Sequence, residues 1–239
     1  MKLILGAVIA TALVIILGVL IVVPSFFENE KSASVMLTFN VHDGSNLNVW
    51  CQNISEFLKS ENSFGTIFIS GEIAEKNTSC VKSFSKKFDI GSQTYSYVSL
   101  PEIQDYGIQL QEVKKGRDTI NEIGNVDSKL FKAPFENTDE NIYSILSSNG
   151  ILADFSYQNQ YNKYVNDKFL KFDLITINSK NISTSSLQSI KSNTTPIQIE
   201  FDSSMTIDEI KKIFFEIKSS NVDFVTASDI TKMELTRWN

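Results

Sequence analysis

The run Val35-Met36-Leu37-Thr38-Phe39 is apolar and rich in residues that favour strands, which predicts a buried β-strand. Shortly after it, apolar residues recur with helical spacing between Leu47 and Lys59. Gly65-Thr66-Ile67-Phe68-Ile69 then repeats the strand pattern. The folded part of the chain therefore begins as strand, helix and strand, the unit from which parallel sheets are built.

The same alternation continues to the C-terminus. Further strands are predicted over residues 88–92, 129–131, 151–153, 174–177, 197–201 and 222–226. Helices are predicted over 78–84, 101–123 and 139–149, after Thr206, and from Ser228 onward. Pro101 and Thr138 suit the starts of two of these helices, and Thr206 with Glu209 forms a capping box. Residues 156–171 are expected to form a loop or short hairpin, and the whole pattern suits a β/α barrel or a doubly wound sheet.

The N-terminal segment has a different composition. No charged side chain occurs from Leu3 to Val23, and a helix of this length spans a bilayer core of about 30 Å. We predict a transmembrane signal-anchor over residues 1–23, a tether over 24–34 and a folded domain over 35–239. The small residues Ser32-Ala33-Ser34 leave cleavage of a signal peptide as an alternative. The short leading tail predicts a single-pass membrane protein whose domain faces the extracellular side.

Charge and rare residues exclude several kinds of function. The net charge of -6 and the absence of a basic cluster argue against nucleic acid as a partner. His42 is the single histidine, so a site that needs two or three imidazoles is excluded. Cys51 and Cys80 are either one disulfide or two separate buried thiols, and two cysteines alone are too few for a zinc site.

Several segments resemble, in their order and spacing, the polysaccharide deacetylase (NodB homology) family. Leu37-Thr38-Phe39 with Asp43-Gly44 resembles the T-F-D-D-G opening of that family, and residues 65–71 resemble its A-T-F-F-x-x-G strand. Residues 90–100 follow I-G-S-H-T-Y-S-H-P-S-L closely, and residues 131–135 resemble F-R-A-P-[YF]. Residues 150–156 and 224–226 match later segments. The resemblance covers about residues 35–235 and implies an α/β fold, a distorted (β/α) barrel of the NodB type.

The resemblance also implies a site, and this sequence departs from it. Members of the family hold a divalent metal with one Asp and two His, and use a further Asp as base and a late His as acid. The two metal-binding His positions fall here on Gln93 and Tyr97, and the late His position falls on Phe201. The arginine of the third motif is Lys132, which keeps the charge but loses bidentate geometry. The chain is therefore expected to be a divergent member with a degenerate metal site.

The remaining candidates come from the same motifs. The catalytic candidates are His42, Asp43, Lys132 and Asp154, and the metal-binding candidates are His42 and Asp43. The substrate-binding candidates are Gln93, Tyr97, Pro134 and Phe135.

Each candidate has a structural alternative. For His42 the preferred interpretation is a loop residue with one hydrogen bond, because the sequence has no second histidine, and Asp43 is alternatively a turn or capping residue. Asp154 can satisfy backbone donors at a strand end, while Glu200 and Asp202 are expected to be solvated.

Three functions follow from these residues. The first is a domain that binds envelope glycan with weak or no hydrolysis. The second is a metal-dependent N-deacetylase with a rearranged site, in which His42, Asp43 and a further carboxylate hold a divalent ion. The third is a non-catalytic ectodomain that meets another protein. A cofactor is expected only in the second case, and the membrane is a partner through the N-terminal helix in all three.

Overall fold

The computed structural model describes residues 33–238 except for 43, 158–162, 167–168, 184–189 and 191–194. The predicted anchor over residues 1–23 lies outside these residues, as does most of the predicted tether. Within the described residues, no helix is long and apolar enough to cross a membrane. The first strand begins at Ala33, two residues before the start expected from the sequence.

A mixed sheet of ten strands forms the scaffold. Its strands are β1 (Ala33–Val41), β2 (Thr66–Ile69), β3 (Asp89–Ser92), β4 (Leu130–Phe131), β5 (Ala153–Tyr157), β6 (Lys163–Asn166), β7 (Phe169–Asp173), β8 (Ile175–Asn178), β9 (Ile197–Asp202) and β10 (Val222–Val225). They follow the order β6-β7-β5-β4-β3-β2-β1-β9-β8, and β10 pairs with β1. Each pairing is parallel except the β6–β7 hairpin.

Helices cross between most of these strands. They are α1 (Leu47–Ser60), α2 (Gly71–Lys76), α3 (Thr78–Phe84), α4 (Tyr106–Gly124), α5 (Glu140–Ser148), α6 (Ile207–Lys218) and α7 (Ala227–Trp238). Short 3₁₀ turns occupy Leu100–Glu102, Pro134–Glu136 and Ser179–Asn181. The predicted α/β class is thus confirmed.

Strand β1 lies at the centre of the sheet and separates two apolar layers. Val35, Leu37 and Phe39 are fully buried in the core that contains α1, α3 and α6. Met36 belongs to a second core, inside the curl of the sheet, to which α7 also contributes. Because side chains alternate along a strand, Asn40 shares the inner face with Met36. The inner face therefore runs from the apolar Met36 through the buried hydroxyl of Thr38 to the carboxamide of Asn40 at the carboxyl end of the strand.

The sheet is a curled half-barrel and not a closed barrel. Within the described residues, the path of paired strands ends at β6 on one side and at β8 on the other. One edge of β1 pairs first with β10, through Ala33–Met36, and then with β2, through Thr38–Val41. This shared edge splays the sheet, so the expected distorted barrel is open in the structure.

One predicted helix start was wrong by five residues, and the predicted cap of another helix was wrong by one. Helix α4 begins at Tyr106, and the Asp105 carboxylate caps it by accepting from the Ile108 amide. Pro101 lies instead in a preceding 3₁₀ turn. Helix α5 is capped by Asp139 and not by Thr138. In both cases an aspartate next to the first turn supplies a charged acceptor for the free N–H groups.

The cysteines form a disulfide. Cys51 of α1 and Cys80 of α3 are joined, with their Cα atoms 5.0 Å apart, and both are fully buried. Of the two alternatives that the sequence left open, the structure has the bonded one. The bond ties together two of the helices that cover one face of β1.

Candidate functional site

A cavity of about 480 Å³ opens at the carboxyl ends of the parallel strands. Side chains from β1, β3, β4, β8 and β9 or from the loops directly after them converge there. Its lining comprises Asn40, His42, Gln93, Tyr97, Lys132, Ala133, Phe135, Glu136, Thr176, Asn178, Asn181, Glu200, Phe201 and Asp202. The volume lies in the range of small-molecule sites, and parallel sheets place their sites at this end.

A buried ion pair lies in this lining. The Lys132 ammonium is 2.6 Å from Glu200 Oε1, and the two side chains are 3% and 10% exposed. The same ammonium donates to Glu136 Oε1 at 3.3 Å and to the Phe155 carbonyl at 3.4 Å. Its three N–H donors therefore meet three acceptors. Glu200 also accepts from the Gln198 amide.

Opposing effects act on the pKa of the Glu136 carboxyl group. Burial raises the pKa of its carboxyl group, the Lys132 ammonium lowers it, and the neighbouring Glu200 carboxylate raises it again. The net result is a raised pKa. The two glutamates thus share one ammonium, and charge on either disfavours charge on the other.

A second pair joins β1 to β9 at the cavity. His42 Nε2 lies 2.5 Å from Asp202 Oδ2, and both side chains are about one-third exposed. Burial alone would raise the pKa of Asp202, but hydrogen bonds from Ser204 and His42 outweigh it and hold that pKa below its usual value. The sequence interpretation of Asp202 as a solvated carboxylate was therefore wrong, because its partner lies 160 residues away in the chain.

Aromatic rings form one wall of the cavity. The Tyr97 ring lies 5.4 Å from the His42 ring and 5.1 Å from the Phe135 ring, measured between centroids. Phe135 is 68% exposed at the cavity mouth. Burial, followed by the charges of Asp202, Glu200 and Glu136, raises the pKa of the Tyr97 hydroxyl. This ring is therefore neutral at physiological pH.

Three residues of the cavity have left-handed backbone conformations. Tyr97, Phe135 and Glu136 have φ values of +56°, +57° and +56°. Such values are uncommon for residues with a Cβ, and they concentrate where a site constrains the chain. Here they direct the two rings of the wall and the carboxylate toward the cavity.

Two carboxamides complete the floor. Gln93 follows β3 and is 2% exposed, and its Oε1 atom has no hydrogen-bond partner among the residues that the structure describes. Asn40 lies on β1, and its Oδ1 atom is likewise buried without a partner in that part of the chain. Unpaired buried acceptors are rare because each loses its hydration without replacement. Sequence reasoning missed Asn40, although strand alternation in phase with Met36 would have placed it on the inner face.

The family model for polysaccharide deacetylase matches residues 28–153, which is more than half of the chain. This chain belongs to that family. The family match includes β1 to β4 and the start of β5, which supply most of the cavity described above. The resemblance drawn from the motifs is thereby confirmed.

Solved structures share the fold of this polysaccharide deacetylase family member. A protein from Mycobacterium smegmatis, described as a polysaccharide deacetylase, superposes with a TM-score of 0.73 at 13% identity, over 89% of this chain and 93% of that one. A peptidoglycan deacetylase from Bacillus subtilis gives 0.62 at 14% identity, over 88% and 95%. A pseudoenzyme of the CE4 family from Bacillus anthracis gives 0.61 at 15% identity, over 85% and 66%. A comparison with curated proteins gives no match.

The described residues do not fit the divalent metal that the family resemblance implies. Gln93 and Tyr97, at the two imidazole positions, both line the cavity, but one offers an amide and the other a neutral phenol. Among the described residues, no group of three or more His, Cys, Asp or Glu side chains is arranged to hold a metal ion. The Lys132 ammonium, 2.6 Å from Glu200, would also repel a cation at that carboxylate.

Some of the other predicted site residues line the cavity, and some do not. His42, Lys132 and Phe135 line the cavity, as do Gln93 and Tyr97. Asp43 lies outside the described residues. Asp154 is fully buried, accepts from the Ser156 amide at 3.0 Å, and is not among the residues of the lining; Pro134 is also buried and absent from it.

Phe201 does not take the position expected for the acid. Although Phe201 borders the cavity, its ring is 1% exposed and stacks on Phe39, with centroids 5.2 Å apart, in the core under the helices. The neighbours Glu200 and Asp202 point their carboxylates to the cavity instead, because alternate residues of β9 face opposite sides.

Proposed function

We propose that this chain binds a cell-envelope glycan in the cavity and does not hydrolyse it. The observation that carries the proposal is the lining itself. It keeps the size and the polar and aromatic character of a sugar site, yet Gln93 and Tyr97 stand where the family resemblance places metal-binding histidines. The cavity thus suits a sugar, although the metal-binding histidines that hydrolysis needs in the family are replaced.

The aromatic wall supports recognition of a sugar. Sugars present apolar C–H faces between polar edges, and exposed rings next to hydrogen-bonding groups match that pattern. Phe135 is exposed at the mouth, and Tyr97 packs behind it. Asn178 and Asn181, on the other side, offer amides to hydroxyl groups.

Relatives support the glycan and the loss of catalysis separately. The Bacillus subtilis neighbour is described as acting on peptidoglycan, and the Bacillus anthracis neighbour as a pseudoenzyme. From the Bacillus subtilis neighbour we take the kind of ligand that this chain is proposed to bind. From the Bacillus anthracis neighbour we take the proposed absence of turnover. Peptidoglycan or a related envelope polymer is accordingly the proposed partner.

The proposed location is the outer side of a membrane, with residues 1–23 as the anchor. The uncharged run from Leu3 to Val23 supports the anchor. The Cys51–Cys80 disulfide supports an oxidising compartment, since such bonds rarely persist in a reducing cytosol. This location would place the cavity beside the proposed glycan.

Titration calorimetry with N-acetylglucosamine oligomers and peptidoglycan fragments tests the binding. Phe135→Ala should weaken binding about tenfold through loss of ring stacking, corresponding to about 1.4 kcal/mol. Phe215→Ala is the matched control, because Phe215 is 48% exposed on α6 and away from the cavity. Absence of binding to every glycan tested would refute the proposal and favour a protein-binding ectodomain.

Acetate release tests the lack of hydrolysis. Incubation with the same oligomers and added zinc, manganese or cobalt should release no acetate above a protein-free blank. Release that disappears in Asp43→Ala would show a rearranged metal site and contradict this part of the proposal. Release that persists in that variant would indicate a contaminating enzyme.

A further inference from the structure

The charged groups that line the cavity carry an excess of negative charge. Among the described residues they comprise three carboxylates, on Glu136, Glu200 and Asp202, against one ammonium on Lys132. If all three carboxylates are counted as ionised, the formal net charge of these groups is -2 with His42 neutral and -1 with His42 protonated. The raised pKa of Tyr97, to which all three carboxylates contribute after burial, reports the same negative potential.

The hydrogen-bonding groups are also unbalanced. Lys132 already directs its ammonium to three acceptors. No donor in the described part of the chain reaches the amide oxygens of Gln93 and Asn40, and Gln93 is only 2% exposed. These buried acceptors favour a ligand that brings N–H or O–H donors into the cavity.

A metal ion does not match this arrangement of carboxylates and amide oxygens well. A divalent metal requires several ligands at about 2.0–2.6 Å in a convergent arrangement. The described His, Cys, Asp and Glu side chains do not form such a group. An organic ammonium has looser requirements, because its N–H donors reach acceptors at about 2.7–2.9 Å in varied directions.

We propose that the cavity selects a glycan carrying a free amino group, such as glucosamine, over the N-acetylated form. This inference rests on the proposed function and names its ligand class. A protonated amine offers three N–H donors and a positive charge, whereas an acetamido group offers one N–H, no charge and a further acceptor. The protein would thus bind glycan from which acetyl groups have already been removed, the product of the hydrolysis that its own residues no longer support.

Glu136 is the residue that should carry the selectivity. It lines the cavity with a side chain 29% exposed, and its Lys132 contact at 3.3 Å is longer than the 2.6 Å contact of Glu200. A ligand ammonium on the exposed side of Glu136, away from Lys132, would give this carboxylate a cation of its own, whereas the Lys132 ammonium is shared with Glu200. Glu136→Gln keeps the shape and removes one negative charge.

The test compares two oligosaccharides of equal length, tetra-glucosamine and tetra-N-acetylglucosamine, by calorimetry on the full chain in neutral buffer at physiological salt. We expect the amine to bind at least tenfold more tightly than the acetylated form. Glu136→Gln should reduce this preference about tenfold by weakening the amine alone. Glu122→Gln, an exposed change on α4 outside the cavity, should leave the preference unaltered and so controls for attraction of the amine to an acidic protein.

The outcomes separate the two proposals. Equal binding of both sugars, or tighter binding of the acetylated one, overturns the amine selectivity and leaves the glycan site standing. A preference that Glu122→Gln reduces as much as Glu136→Gln also overturns it, because the attraction would then be nonspecific. Binding of neither sugar or of any other glycan overturns both proposals. Circular dichroism of each variant establishes that the fold is intact.

Discussion

Removing the ammonium from the buried ion pair should destabilise the protein strongly. Lys132→Met keeps the length of the side chain but leaves Glu200, 10% exposed, without the cation 2.6 Å away. Breaking a buried pair from one side typically lowers the free energy of unfolding by about 3–5 kcal/mol. Glu136 loses its contact to the same ammonium. We expect a loss in the upper half of that range at neutral pH.

A double-mutant cycle separates the pair from the packing. Adding Glu200→Gln to Lys132→Met removes the stranded charge while keeping an oxygen that can accept from Gln198. Half or more of the loss, about 2 kcal/mol, should therefore return in the double variant. Urea unfolding followed by circular dichroism gives the four free energies of unfolding, those of the parent, Lys132→Met, Glu200→Gln and the double variant. Lys129→Met is the matched control: its pair with Asp127 is 3.2 Å long, its side chain is 53% exposed, and it should cost less than about 1 kcal/mol.

The cycle also has a pH signature. A protonated carboxyl group tolerates burial better than a charged one, so the deficit of Lys132→Met should shrink as the pH is lowered. A double variant as unstable as Lys132→Met, with no dependence on pH, would refute the reasoning. The loss would then come from the packing of the lysine stem and not from charge.

Three further predictions concern the fold and the second pair. Replacing both Cys51 and Cys80 by serine opens a loop of 29 residues and should lower the free energy of unfolding by about 3.5 kcal/mol in a urea titration. Gly116→Ala puts a Cβ 2.5 Å from the Gln93 carbonyl oxygen, so a calorimetric melt should show destabilisation although helix propensity alone predicts the reverse; an unchanged or higher midpoint would contradict the contact. The pKa of Asp202 is lowered, so its contribution to stability is complete above the unfolded value of about 3.8 and is lost as the pH falls through the lower folded value. The free energy of unfolding of Asp202→Asn should therefore decline less in acid than that of the parent. Parallel declines in the two sets of unfolding curves would refute this.

Local patterns predicted the secondary structure well. The apolar run at residues 35–39 became the centre of β1, and the capping box of Thr206 and Glu209 is present as expected. Both depend on neighbours in the sequence, where periodicity and caps act directly. The errors at Pro101 and Thr138 arose where two residues competed for one helix start, a choice that the surrounding turn decides.

The site was harder to predict because its pairs are distant in sequence. The motifs indicated which positions meet, but the ammonium of Lys132 finds Glu200 across 68 residues, and His42 finds Asp202 across 160. An exposed carboxylate and a paired one look alike in a sequence, so both acidic residues were expected to be solvated. The charge excess of the cavity became visible only when these strands were placed side by side.

The left-handed conformations of Tyr97 and Phe135 have a consequence for laboratory evolution. Glycine adopts such angles freely, so glycine at either position would relieve roughly 1–2 kcal/mol of local strain. The same change deletes an aromatic ring from the wall of the cavity. A library selected for heat resistance should therefore drift toward glycine at these two positions, while a library selected on immobilised ligand should retain the rings. Positions that become glycine under selection for heat resistance, but keep their rings under selection for ligand binding, would be those that this protein maintains for its ligand at the expense of its stability.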